Sequence, residues 1–384
     1  MKKFEFLIKH NKLVQLVYRV FFSFAFSVMS FFVPLKKNLI LFSSFSGKKF
    51  NDSPKVLYEA ILEKFGSQKF EMIWAFENPD QFANLRLKTV KINSFRYFRI
   101  AFRAKYWITN VNIERGLSFK KKGQIYLNTW HGTGPKTAGN AVNGRKDYNF
   151  KKVNYICADG EYLRDMFVRD FNAKKESVLL CGRPREDVLY KSDNQQSNET
   201  KQKYGIKDGD FVILYAPTWR ETSGNDEIDH PDVQLHVLEI LTAIPSAKIL
   251  FREHSISSDV FRNGRFNNRF ISATDEPEIS SLFIVSDVLI TDYSSSIVDF
   301  SILGKPFICF APDYDDYIKK RALYFDLTKE YPFGVQKKTD EVVSVLKAIL
   351  AGDSKHLSFL EFKKRYSTYG GNATETCLKK LFGE

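Results

Sequence analysis

Ile290-Thr291-Asp292-Tyr293-Ser294-Ser295-Ser296-Ile297-Val298-Asp299 joins an apolar run to a second one through a turn of hydroxyl-bearing residues. The apolar run Val288-Leu289-Ile290 reads as a short buried strand. The residues through Phe300, Ile302 and Leu303 read as a helix ended by Gly304 and Pro306. Three serines therefore fall where a strand stops and a helix starts. In an open α/β sheet ligands bind outside the carboxyl ends of the strands, and a helix start offers unpaired N–H groups to a phosphate. The same residues also suit simple helix capping. The ligand reading gains from the other polar motifs that directly follow strands elsewhere in the chain.

Working outward, Asn38–Phe42, Phe70–Phe76, Tyr106–Asn110, Ile125–Trp130, Tyr155–Ala158 and Val178–Cys181 read as strands, with helical spacing at Pro54–Phe65 and Phe95–Ala104. The polar run Ser192–Lys203 interrupts this pattern, which then restarts at Phe211–Tyr215, Lys248–Phe251, Phe270–Ile271 and Pro306–Phe310. Strands alternating with helices predict an α/β fold of two Rossmann-like domains, each built on a parallel sheet and facing the other across a cleft. The expected boundaries are an N-terminal segment at 1–37, a first domain at 38–191, a linker at 192–204 and a second domain at 205–356. A helical segment at 357–384 is expected to pack back toward the first domain.

The 384 residues carry 43 % hydrophobic side chains, 36 of them phenylalanine, which excludes a disordered chain. The formal charge of +13 favours an anionic partner such as nucleic acid, acidic lipid or a phosphorylated substrate. Cys157, Cys181, Cys309 and Cys377 show no metal spacing and read as buried thiols in a reducing compartment. A Walker loop, a GxGxxG fingerprint and a GxSxG elbow are all absent.

Residues 1–37 interleave Lys2, Lys3, Lys9, Lys12 and Arg19 with phenylalanines and leucines. The uninterrupted apolar part holds roughly 14 residues, against the roughly 20 that a spanning helix needs. A basic, amphipathic segment lying in the interface of an anionic leaflet is the expectation, with a packed helix and a true span as the alternatives.

Several polar motifs follow strands. His131, on the glycine-containing loop Trp130-His131-Gly132-Thr133-Gly134, suits a general base, or else a structural imidazole bonded to loop carbonyls. Arg220, in Ala216-Pro217-Thr218-Trp219-Arg220, can fork onto a phosphate. Arg252 and His254 alternate with Glu253 and so point to one side. Gly182-Arg183-Pro184-Arg185-Glu186-Asp187 brings cations and carboxylates near the junction of the halves.

With these residues in view, the chain resembles the CDP-glycerol glycerophosphotransferase family, enzymes of teichoic acid and related capsular polymer synthesis. The resemblance runs from about Leu39 to the C-terminus. It rests on Thr129-Trp130-His131-Gly132-Thr133 with Lys136, on Gly182-Arg183-Pro184-Arg185 with Asp187, and on Ala216-Pro217-Thr218-Trp219-Arg220. Arg252 with His254, and Thr291-Asp292-Tyr293-Ser294-Ser295 with Asp299, complete it. Two departures are Gly134 ahead of Pro135, and Ser255 where the family carries proline.

The resemblance implies a GT-B-like fold and a transfer of polyol phosphate, glycerol phosphate foremost, from a CDP-polyol to a hydroxyl of a lipid-linked acceptor, with release of CMP. It implies His131 and His254 as catalytic groups. Pro217, Thr218, Arg220, Arg252, His254, Thr291, Ser294, Ser295, Ser296 and Asp299 would hold the donor. Gly132, Thr133, Lys136, Arg185 and Asp187 would serve the acceptor or shape its loop. No metal is required, although Mg²⁺ is compatible with a diphosphate donor. The expected location is peripheral, on the cytoplasmic face of the cell membrane, with no nucleic acid partner. The alternatives are a ribitol-phosphate transferase using CDP-ribitol, a sugar-nucleotide glycosyltransferase that releases UDP or GDP, and a non-enzymatic basic protein bound to membranes or nucleic acid.

Overall fold

The computed structural model describes residues 12–114, 117–146, 148–191, 194–218, 235–252, 267–353 and 355–383. In the first half, β1 (Lys36–Ser43), β2 (Glu71–Phe76), β3 (Thr89–Lys91), β4 (Ala104–Thr109), β5 (Ile125–Asn128), β6 (Tyr155–Ala158) and β7 (Val178–Leu180) form one sheet. Its order is β3-β2-β1-β4-β5-β6-β7, and every pair is parallel. The second half repeats the plan with β8 (Phe211–Tyr215), β9 (Ala247–Phe251), β10 (Phe270–Ser272), β11 (Val288–Thr291), β12 (Phe307–Phe310) and β13 (Val335–Gln336). That order is β10-β9-β8-β11-β12-β13, again parallel.

Parallel strands covered on both faces must be apolar on both faces. Leu39, Ile40, Leu41 and Phe42 of β1 are accordingly all buried, as are all five residues of β8. Each sheet reverses its strand order once, between β1 and β4 and between β8 and β11. Those reversals open the crevices in which such sheets take ligands.

The polar run after β7 is taken up largely by a helix. Asn194–Lys203 is a helix on the second domain, with Gln196 donating to Ser281 at 3.3 Å and Lys203 paired to Glu276 at 2.6 Å. The C-terminal segment divides its loyalties. Phe359, Phe362 and Tyr366 of the His356–Tyr366 helix join the second domain's core around Phe300 and Phe307. The Ala373–Phe382 helix crosses to the first sheet, burying Cys377, Leu378 and Leu381 against Ile40, Phe42 and Leu57. Cys157, Cys181 and Cys377 thereby bring their sulfurs within 4.8 Å of one another, a convergence that their sequence spacing does not announce.

The N-terminal helix, Lys12–Phe31, lies against the first domain through Phe26, whose ring meets Phe98 at 4.5 Å and Phe119 at 5.8 Å. Among the described residues no helix is long and apolar enough to cross a membrane.

Two sets of contacts fix the domains together. Backbone Thr137 donates to Ala322 at 3.2 Å and Tyr324 to Pro135 at 2.7 Å, while the Tyr324 hydroxyl donates to Asp170 at 2.7 Å. The other set centres on Arg183, which is fully buried. Its guanidinium donates to Asp159 at 2.8 Å and Glu186 at 2.6 Å within its own domain, and to Asp299 at 2.9 Å in the other. Arg185 adds bonds to Asp52 at 2.8 Å and Asp299 at 2.6 Å. A buried charge is tolerated only when its partners satisfy it, and removing one partner typically costs about 3–5 kcal/mol.

Arg183→Met is therefore expected to lower unfolding free energy by about 3–5 kcal/mol, leaving three buried carboxylates without their shared cation. Arg183→Lys should recover only part of it, because a single ammonium nitrogen cannot replace the planar fork whose three nitrogens reach Glu186, Thr133, Asp159 and Asp299. Urea unfolding measures both. A loss below about 1 kcal/mol for Arg183→Met would show that the cluster is solvated rather than structural.

Candidate active site

Between the two strand-order reversals lies a cavity of about 510 Å³, whose lining includes Lys49, Asp52, His131, Arg185, Arg252 and Ser295. Each wall is the carboxyl end of a strand. After β1 the chain turns through Phe45 and Ser46, both at positive φ, and Asp52 (φ 63°) opens the Asp52–Lys69 helix in the same conformation. After β5, Trp130 (φ 56°) is also left-handed and is wedged against Phe167 and Phe171 at 5.4 and 4.9 Å. Left-handed backbone costs a non-glycine residue about 1–3 kcal/mol and persists where packing enforces it. Here it delivers the next residue, His131, to the cavity.

The His131 ring has one nitrogen accounted for. Nδ1 lies 2.8 Å from the Asn110 carbonyl oxygen, which can only accept, so Nδ1 carries the proton and the neutral ring offers its lone pair at Nε2. Burial pushes the imidazole pKa below its ordinary value. The Asn110 carbonyl and Asp52 oppose that shift, while Arg185 and Arg183 add to it. The ring is thus held neutral at neutral pH.

Gly132 is required sterically. Its φ is +157°, and a Cβ there would meet Ser295 Oγ at 2.5 Å and Ser295 Cβ at 2.9 Å. The His131 loop of one domain and the serine turn of the other are thus in contact. Gly134 faces the same serine with ordinary van der Waals room, at 3.4 Å.

On the opposite wall the expected helix is shorter than its apolar spacing suggests, running only from Ser296 to Ser301. So short a helix has little macrodipole. Ser294 does the local work, accepting from the Ser296 amide at 3.1 Å and bonding its hydroxyl at 2.8 Å. Ser295 stands at the N-cap with no side-chain cap bond, its hydroxyl directed at the first domain's loop. Thr218 is fixed by Asp292, which accepts from its hydroxyl at 2.6 Å and its amide at 3.2 Å. Arg252 donates to the Glu276 carbonyl at 2.5 Å while still facing the cavity.

Not every residue named from the sequence reaches this space. His131, Gly132, Lys136, Arg185, Thr218, Arg252, Ser294, Ser295, Ser296 and Asp299 line it. Thr133 instead points into the Arg183 cluster, donating to Asp159 at 2.8 Å and accepting from Arg183 at 3.1 Å. Asp187 is turned away too, capping the Ala373–Phe382 helix by accepting from the Ala373 and Thr374 amides at 2.9 and 2.8 Å. Thr291 is buried, its hydroxyl tying β11 to the Ala216 carbonyl at 2.6 Å. Pro217 shapes the turn beside it without lining the cavity. Asp299 lines the cavity yet has both carboxylate oxygens bonded by Arg183 and Arg185. Arg220 and His254 lie outside the described residues.

Lys49, Asp52 and Glu278 line the cavity and were not foreseen. The Lys49 pKa is pushed down by burial and then by the like charge of Arg252, against Glu278 and Asp52, which raise it. A lysine from one domain and an arginine from the other thus converge on one space, an arrangement suited to an anion. Gly47-Lys48-Lys49 after β1 was the available signal, obscured by the number of lysines elsewhere.

Comparison with known proteins agrees with this fold. Residues 25–383 match the family model described as CDP-Glycerol:Poly(glycerophosphate) glycerophosphotransferase. The teichoic acid poly(glycerol phosphate) polymerase of Bacillus spizizenii is 28 % identical over 363 residues, covering 90 % of each chain. That of Bacillus subtilis is 30 % identical over 395 residues, 97 % of this chain and 52 % of the relative, so the chain spans about half of that protein's length. A solved structure of a variant of the wall teichoic acid polymerase TagF, soaked with CDPG, superposes with a TM-score of 0.79 at 26 % identity, covering 100 % of this chain and 97 % of that one. With nearly its whole length matched, the chain belongs to the CDP-glycerol:poly(glycerophosphate) glycerophosphotransferase family.

Proposed function

We propose that this protein transfers glycerol phosphate from CDP-glycerol to a hydroxyl of a lipid-linked acceptor or growing polymer, releasing CMP, in teichoic acid or related cell-surface polymer synthesis. The observation that carries the mechanism is the His131 tautomer. Nδ1 is committed to the Asn110 carbonyl, Nε2 keeps its lone pair, and Ser295 of the other domain touches the same loop. The acceptor oxygen attacks the phosphorus that bears glycerol and forms a new P–O bond. The bond to the bridging oxygen breaks, and CMP leaves with that electron pair. His131 Nε2 takes the acceptor's proton, a step that typically supplies ~10²–10⁴-fold.

Charge on the diphosphate would be met by Arg252, Lys49 and the hydroxyl of Ser295. Arg220 and His254 are proposed as further donor contacts on the resemblance alone. These fixed cations would substitute for a metal. Lys136 and Arg185, on the His131 side, would face the acceptor. The exposed apolar face of the Lys12–Phe31 helix supports a peripheral position on the membrane's cytoplasmic face, where a lipid-linked acceptor and a cytidine nucleotide can meet. Glycerol rather than ribitol is favoured by the family match and by the glycerol phosphate polymerases among its relatives.

His131→Ala is expected to lower turnover by at least ~10²-fold while CDP-glycerol still raises the melting temperature. Activity surviving within about tenfold would remove His131 as the base. Because the ring's pKa lies below 6.5, the neutral base persists as pH falls through 6.5 and is lost only at lower pH. The acid limb of kcat/KM should therefore have its midpoint below 6.5. A midpoint above 7 would contradict the burial described here. EDTA should leave turnover within about twofold, since the cations are side chains. Loss of activity restored by Mg²⁺ would show that they do not suffice.

A further inference from the structure

We propose that a lysine-lined cleft beside the N-terminal helix is a binding site for the phosphorylated headgroups of anionic bilayer lipids. The proposal rests on the peripheral-membrane reading above and adds a headgroup site to it, apart from the catalytic cavity.

The cleft, about 430 Å³, is walled by Lys120, Lys121, Lys122, Lys151, Lys152 and Lys174, with Glu176 as its single carboxylate. Six ammonium groups against one carboxylate leave a local excess of positive charge that Glu176 alone does not balance. Like charges gathered around an open concavity repel one another unless an anion enters. Lys120 registers this crowding. Burial depresses its pKa first; Glu114 opposes the shift, and Lys152 and Lys105 add to it.

The cleft is joined to the helix by direct bonds. Lys121 Nζ donates to the Ser30 carbonyl at 2.9 Å and to the Val33 carbonyl. The Ser118 amide donates to Ser23 Oγ at 3.0 Å, and Lys152 Nζ donates to Ser118 Oγ at 2.7 Å. These bonds seat the helix against the wall of the cleft.

The helix's outward face is apolar. Val17, Phe21, Phe24, Val28 and Phe31 recur at spacings of four and three, which places them on one stripe. Phe21, Phe24 and Phe31 are 63 %, 70 % and 83 % exposed, and Phe32 beside them is 76 % exposed. No part of this chain among the described residues covers that stripe. Aromatic side chains in a row next to a basic concavity match an interface in which acyl chains lie beside anionic headgroups. Phosphate oxygens would accept from the lysines while the phenylalanines enter the layer beneath.

The test uses the full chain with vesicles of phosphatidylglycerol and phosphatidylcholine, or of phosphatidylcholine alone, at fixed ionic strength. Lys122, Lys151 and Lys174 are exposed, so Lys122→Ala/Lys151→Ala/Lys174→Ala should fold normally. The triple variant should lose on the order of a hundredfold in partitioning onto phosphatidylglycerol vesicles, at about fivefold per lysine. Its weak binding to phosphatidylcholine, and its turnover of CDP-glycerol with a water-soluble acceptor, should not change. Wild-type binding of phosphatidylglycerol by the triple variant would overturn the proposal. So would a loss seen only for soluble inorganic phosphate, read by thermal shift, since that would assign the cleft to a free anion. Phe21→Glu/Phe24→Glu tests the underlying membrane reading separately. Full vesicle binding by that variant would reject the helix's role, leaving the lysine result to be read by itself. Wild-type protein that fails to bind either vesicle would reject both.

Discussion

Arg183 has no exposed surface, yet it bonds carboxylates of both domains. An arginine cannot shed its proton to escape burial, so its neighbours must be anionic and correctly placed. Asp159 and Glu186 hold it from the first domain and Asp299 from the second, while Arg185 shares Asp299 and reaches to Asp52 at the cavity wall. The helix that carries Asp299 begins at the serine turn, and the helix begun by Asp52 follows the turn after β1. This ionic cluster therefore helps to set the separation of the two halves of the site, together with the Tyr324 contacts. Buried ion pairs add little net stability compared with apolar packing. What this one supplies is position, since Gly132 meets Ser295 at a distance that leaves no space for a methyl group.

Two sheets with the same strand order meet so that their reversal points face each other. Every cavity-lining group discussed above follows a strand's carboxyl end or opens the helix beyond it. The catalytic proposal takes its proton acceptor from the first domain and its cations from both, Lys49 from the first and Arg252 from the second. Lys49 illustrates the arrangement, since after burial it is the like charge of Arg252 from the other domain that pushes its pKa down.

Much of this was legible in the chain itself. Buried parallel strands are unbroken apolar runs, so β1, β8 and β11 announced themselves, and the polar residues after them marked one edge of each sheet. The sequence does not reveal which of those polar residues turn inward. Thr133 and His131 are two positions apart on one loop, yet the first is spent on Asp159 and the second faces the cavity. Asp187 sits in a charged motif beside Arg185, but it caps a helix that lies far along the chain. Such choices depend on contacts between distant residues. The left-handed turn at Trp130 is likewise enforced by Phe167 and Phe171, which nothing local predicts. The three converging thiols belong to the same class, because Cys377 arrives only when the last helix crosses back.

Burial of His131 looks costly for a residue proposed as a base. A histidine of ordinary pKa 6.5 is already roughly three-quarters neutral at pH 7, so lowering the pKa gains at most about 0.2 kcal/mol in population. Meanwhile the lower pKa makes the ring a poorer proton acceptor. The depression is better understood as a consequence of the ring's partial burial at the cavity wall, where charge interactions are stronger than in bulk water. The two groups that oppose it, the Asn110 carbonyl and Asp52, both favour the imidazolium. Their influence is weakest while the ring is neutral and grows as the proton arrives, so it acts on the transition state more than on the resting enzyme. On the proposed mechanism Asp52, held at the cavity wall by Arg185, would favour the charge that His131 acquires.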